Sequence, residues 1–122
     1  MRIVLLQIAY LCIALAFNAL SAALALVGSK PLAPTNLVAA TGVFALYALA
    51  LWSGQAGFDT AYRAAMLCFV LVLGAGGVLA HLRRGPTQGY RSAVAWMAAI
   101  LINGMGVVLN MAGALLGARA AL

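Results

Sequence analysis

The stretch IVLLQIAYLCIALAFNALSAALALV, Ile3 to Val27, decides the fold: it carries no charged side chain and almost no polar one. About 20 apolar residues in a helix cross the ~30 Å hydrocarbon core of a bilayer, so this run reads as a transmembrane helix. Met1-Arg2 ahead of it, and the Ala/Ser tract around Ser21 and Ala23, have the outline of a secretory signal peptide. The apolar run is nevertheless long enough to stay in the membrane as a first span.

Working outward, the same composition fills the chain. Gly28 and Pro31 end the first helix, and Thr35 or Asn36 is placed to cap a second from about Leu37 to Ser53. Asp59 reads as the N-cap of a third helix, about Thr60 to Leu82, with Arg63 one turn on. Gly85-Pro86 breaks the chain before a fourth, about Tyr90 to Gly117. Loops this short force neighbouring helices to alternate in direction. The expected fold is therefore all-α and integral to the membrane. A single transmembrane domain over residues 1–122 holds four antiparallel helices in an up-down bundle with short loops.

Composition agrees. Of the 122 residues 67% are hydrophobic and 7% charged, too little polar surface for a water-soluble domain. The net charge of +6 comes from seven basic residues placed at helix ends, where they set topology and meet anionic headgroups, so nucleic acid is not an expected partner. Lys30, Arg83, Arg84 and Arg91 lie on one side, Arg2, Arg63 and Arg119 on the other. The side with four is read as cytoplasmic, which puts both termini outside. Six of the seven are Arg, and Ala and Leu abound, in keeping with a bacterial inner membrane. Trp52, Phe58 and Tyr62 mark one interface and Tyr90 the other. Cys12 and Cys68 lack paired spacing and read as small buried hydrophobes.

Polar residues inside the spans are few. Asn18, Asn103 and Asn110 each have a small residue three positions later, Ser21, Gly106 and Gly113, on the same helix face. Such amides either hydrogen-bond between helices, with small residues permitting close approach, or line a path or a partner surface. Gly113 and Gly117 form a GxxxG, and Gly74, Gly76 and Gly77 promise a second close-packing surface on the third helix. Arg83, Arg84 and Arg91 are the expected contacts for headgroups or other anions. His81, with Gly77 one turn earlier, is the one candidate ligand for a haem or pigment, the glycine leaving room for a flat macrocycle.

The missing chemistry narrows function. No Asp, Glu, Lys or Arg lies deep in a span, and a proton-driven exporter would keep an ionisable group of that kind there. The first span offers only Gln7 and Asn18. One acidic side chain, one histidine and no metal-ligand cluster point away from an enzyme and require no metal or other cofactor; lipid is the expected bound molecule. The leading expectation is a non-catalytic accessory subunit packed against other integral membrane subunits of a larger complex. The alternative is a homo-oligomeric transporter, channel or lipid-handling protein with a neutral Asn-lined path, and the weaker third is a haem or pigment carrier through His81.

Overall fold

A computed structural model describes residues 2–121. Among these residues the chain forms four long helices: α1 (Ile3–Leu26), α2 (Leu37–Gln55), α3 (Asp59–Arg84) and α4 (Ala93–Leu116). All four are long and apolar enough to cross a membrane, which is consistent with a multi-pass membrane protein.

Local chemistry sets the boundaries. α1 and α2 both end in the same motif, a left-handed glycine followed by a backbone bond reaching five residues back. Gly28 (φ +74°) is followed by Ser29 N–H bonding Leu24 C=O at 2.9 Å, and Gly57 (φ +95°) by Phe58 N–H bonding Ser53 C=O at 2.9 Å. A residue with a Cβ is strained at that φ, so glycine fixes both stops. Asn36 Oδ1 accepts from the Val38 and Ala39 amides at 3.1 Å and starts α2. Ser92 Oγ accepts from Ala95 N–H at 3.1 Å and starts α4.

Those caps move several expected boundaries. α4 begins at Ala93 instead of Tyr90, because Ser92 supplies the cap and Tyr90 is held in the loop. α2 runs on to Gln55 and α3 to Arg84, each continuing until a glycine with positive φ stops it. Asp59 does not cap α3; it is the helix's first residue, and its carboxylate pairs with Arg63 at 2.6 Å. The same Arg63 donates through Nη1 to the Ala114 and Leu115 carbonyls at 3.1 and 2.7 Å. A cation thus satisfies two orphan carbonyls at the end of α4.

The core is a ring of adjacent helices, α1 on α2, α2 on α3, α3 on α4 and α4 on α1, with α3 and α4 in the most extensive contact. Tyr10, Tyr47, Tyr62, Met66, Phe69 and Leu73 fill its centre. The first residues of α1 lie beside the last of the described chain after α4, with Ile3 N–H bonding Ala120 C=O at 3.0 Å. No more than 28% of the most apolar window of any helix is buried inside, so large apolar side chains such as Leu26, Val38, Leu71 and Leu101 cover the outer surface. Cys12 and Cys68 belong to that outer surface too; both are exposed, contrary to the expectation of burial.

One section of α3 departs from the α-helix. Val72–Leu79 is wound as a π-helix, a rare conformation that recurs at functional sites. It packs on α4, yet α2 makes no close backbone approach to it, touching α3 only along Asp59–Leu71. No residue of α2 before Tyr47 is buried. The ring is closed at the Asp59 end and parts between α2 and the π segment at the other.

Candidate functional site

Two polar assemblies lie within this bundle. The first is sealed in the closed half and takes one side chain from each helix: Gln7, Tyr47, Tyr62 and Asn110. Tyr62 Oη donates to Gln7 Oε1 at 2.6 Å, and Gln7 Nε2 donates to Asn110 Oδ1 and to the Leu109 carbonyl, both at 3.3 Å. The Met66 sulfur lies 3.1 Å from the same Nε2. Tyr47 Oη donates to Asn110 Oδ1 at 2.6 Å. All four side chains are almost wholly excluded from solvent, and Asn110 Nδ2 is left without a partner among the described residues.

The glycines beside Asn103 and Asn110 belong to these tyrosines. A Cβ at Gly106 would meet the Tyr10 ring and hydroxyl at 2.5 and 2.6 Å, and one at Gly113 would meet the Tyr62 hydroxyl and Gln7 Nε2. Gly117 is filled by Arg63 and Asp59. Gly106, Gly113 and Gly117 are therefore seats for side chains of the same chain, and none is left for a second protein. Of the α3 glycines only Gly77 packs closely, against Asn103; Gly74 and Gly76 have nothing near them among the described residues. Tyr62 and Tyr90, expected at the interfaces, are both buried.

The second assembly is a cavity of about 360 Å³ in the open half, between α1, the start of α2, the π segment and α4. Phe17, Val43, Phe44, Val72, Leu73 and Ala80 give it apolar walls. Tyr10, Asn18, Thr35, Asn36, His81, Arg84 and Asn103 supply its polar points. It meets a further space of about 550 Å³ running outward along α1 to Leu26 and Pro31. Asn18, Ala33, Pro34, Thr35, Asn36 and Arg84 border both.

Local bonds hold these walls. Ser21 Oγ accepts from Ala33 N–H at 3.1 Å and donates to Ala33 C=O at 3.2 Å, tying the α1–α2 loop to α1. Asn18 and Asn103 each donate Nδ2 to a carbonyl four residues back, Ala14 at 2.8 Å and Ala99 at 2.7 Å. Both amides therefore present their carbonyl ends away from their own helix. Arg84 Nη1 donates to Pro34 C=O at 3.2 Å and Arg91 Nη1 to Lys30 C=O at 3.3 Å, while Arg83 stays exposed without a described partner.

His81 is half-buried at the cavity wall. Its Nδ1 is hydrogen-bonded to Tyr90 Oη, and its backbone carbonyl accepts from Trp96 Nε1 at 2.8 Å. Burial pushes the Tyr90 phenol up, against a smaller opposite pull from Arg84, so the hydroxyl stays protonated at neutral pH. The space above Gly77, which would have to receive a flat macrocycle, is taken by the Asn103 amide.

The three asparagines thus do not form one stripe. Asn110 belongs to the sealed network, while Asn18 and Asn103 face the cavity. Tyr10 and Tyr47 are the residues that sequence reasoning misses, and Tyr62, near the start of α3, turns inward to join them. A tyrosine within an apolar span needs a partner for its hydroxyl, and that is the signal that could have found them. Comparison with protein-family models, curated proteins and solved structures finds no match for this chain.

Proposed function

We propose that this chain is an integral membrane protein whose four antiparallel helices form an up-down bundle, and that it binds an amphiphilic small molecule in the cavity between α2 and the π segment. The carrying observation is the cavity itself: apolar walls, a few placed polar groups, and no close backbone approach of α2 to the π segment beside it. Binding sites for small molecules are typically concave, mostly apolar and about 300–1,000 Å³, with a few placed polar groups. The pairing of Ile3 with Ala120 and of Ser21 with Ala33 supports the alternating helix order. The work is handling of a ligand drawn from the membrane, without catalysis. The setting is a bacterial inner membrane with the Lys30, Arg83, Arg84 and Arg91 end in the cytoplasm.

The accessory-subunit reading keeps one supporting observation. Gly42, Gly74 and Gly104 have no described side chain near them within the chain, which leaves flat outward patches for other helices. It ranks second, because part of the glycine surface that supports it beside the short loops and missing chemistry, at Gly106, Gly113 and Gly117, is filled from within.

The test is gentle extraction followed by analysis of the small molecules retained by the particle. Wild type should hold an amphiphile near one per chain, and Ala39→Trp should lose it, since Ala39 is exposed and borders the cavity. Retention unchanged in Ala39→Trp, or a particle of larger unrelated subunits with no such molecule, would overturn the proposal.

A further inference from the structure

We infer, resting on that reading of the cavity, that its occupant is an anionic phospholipid whose phosphate sits against Arg84, with one chain in the cavity and the remainder of the head in the adjoining space.

Arg84 stands at the junction of the two compartments and, among the described residues, is the only side chain of fixed charge bordering either. Arg84 is exposed, and one of its nitrogens donates to Pro34 C=O, which draws the guanidinium toward the junction while its other donors stay available. Asn36 borders the same junction and has committed Oδ1 to the α2 amides, so Nδ2 is the end it can offer. Thr35 adds a hydroxyl beside it. A guanidinium with donors to spare, beside a hydroxyl and an amide whose carbonyl is already used, selects an anion, and a guanidinium pairs with phosphate through two parallel bonds.

The charge distribution agrees. Lys30, Arg83 and Arg91 share this end with Arg84, and the single acidic side chain, Asp59, lies at the opposite end paired with Arg63. No acidic side chain near the junction repels an anion.

Shape separates a phospholipid from a fatty acid. Along α1 the two spaces run from Tyr10 to Leu26, ~24 Å at 1.5 Å per residue. That exceeds one leaflet of hydrocarbon, ~15 Å. A fatty acid would end at Arg84 and leave the space of about 550 Å³ unused. A phosphodiester continues past the charge into it. α2 makes no close backbone approach to the π segment, and a chain entering between them comes from the bilayer without crossing water.

The experiment is native mass spectrometry of the full chain in detergent. It is titrated with phosphatidylglycerol, with diacylglycerol of the same chains, with the free fatty acid and with inorganic phosphate. Wild type should bind one phosphatidylglycerol, and diacylglycerol on the order of tenfold more weakly, the usual effect of losing a charge-assisted pair. Arg84→Gln should weaken phosphatidylglycerol by a similar factor and leave diacylglycerol unchanged, whereas Arg83→Gln should change neither. Asn36→Asp keeps the helix cap but replaces the donor by an anion, so it should match Arg84→Gln without the loss of a guanidinium. Equal binding of phosphatidylglycerol and diacylglycerol, both abolished by Ala39→Trp, would overturn the phosphate inference and leave the cavity reading standing. So would fatty acid binding better than phospholipid. Inorganic phosphate bound alone and displacing the lipid would mark a site for a soluble anion and overturn it as well. Binding of no amphiphile at all would sink both readings.

Discussion

Replacing Asn110 by leucine tests whether the sealed network holds the four helices in register. Asn110 Oδ1 accepts from Tyr47 Oη at 2.6 Å and from Gln7 Nε2 at 3.3 Å, and all three side chains are buried. The substitution would leave the Tyr47 hydroxyl without its acceptor, while Gln7 Nε2 would keep the Leu109 carbonyl. A buried donor left unmade costs about 1–3 kcal/mol, whereas interhelical bonds measured in a membrane average only ~0.6 kcal/mol. Tyr47 has no alternative partner among the described residues in so enclosed a position, which argues for the higher figure, and Asn110 Nδ2, already orphaned, offsets part of it. The expected net loss is about 2 kcal/mol, roughly a thirtyfold shift in the folding equilibrium. Reversible unfolding in mixed micelles, followed by helical circular dichroism and by Trp52 and Trp96 fluorescence, would read it. The decisive version is a double-mutant cycle with Tyr47→Phe. Tyr47→Phe should destabilise the wild type and do little in the Asn110→Leu background. Additive effects, or a neutral Asn110→Leu, would refute the claim that this contact specifies the bundle.

Packing and exposure give two more expected outcomes. Gly113→Leu should abolish or severely weaken folding, since even its Cβ would meet Gln7 Nε2 at 2.5 Å, while Gly74→Leu, with nothing within 4 Å, should stay within about 0.5 kcal/mol of wild type in the same assay. Cys12 and Cys68, both exposed near the middle of long apolar helices, should react in native vesicles with a lipid-soluble maleimide and resist a charged, impermeant one. Rapid labelling by the impermeant reagent from either side would place them in water and contradict the membrane reading.

The four long apolar helices are legible in the sequence because runs of the length and composition that a bilayer core demands stand out from every other pattern. The turns are legible where a special residue does a specific job, as Gly28, Asn36 and Gly57 do. Direction around each helix is not. With apolar side chains on every face, periodicity no longer separates inside from outside, and the inward side of α1 is marked only by Gln7, Tyr10 and Ser21. The N-x-x-small pattern marks close approach without saying what approaches. Gly106 and Gly113 are small to seat Tyr10 and Tyr62 of the same chain, contacts that join residues roughly a hundred or some fifty positions apart, a separation that no local spacing reports. The cavity is invisible for a different reason: it depends on a π-helix and on where α2 diverges, and neither leaves a local compositional mark beyond the glycines of Val72–Leu79.

That π-helical section also sets an angular phase. Everything after Leu79 is aimed by the winding of the eight residues before it. A π segment holds one residue more than α winding would over the same stretch, so removing one residue there would restore i→i+4 bonding and re-aim the side chains of the section itself. Val72, Leu73 and Gly77, which line the cavity, would lose their present places on its wall and against Asn103. The shape of that wall is therefore written in the number of residues in this section as much as in their identity, and a length change there would act as a switch where most substitutions would act only as a dial.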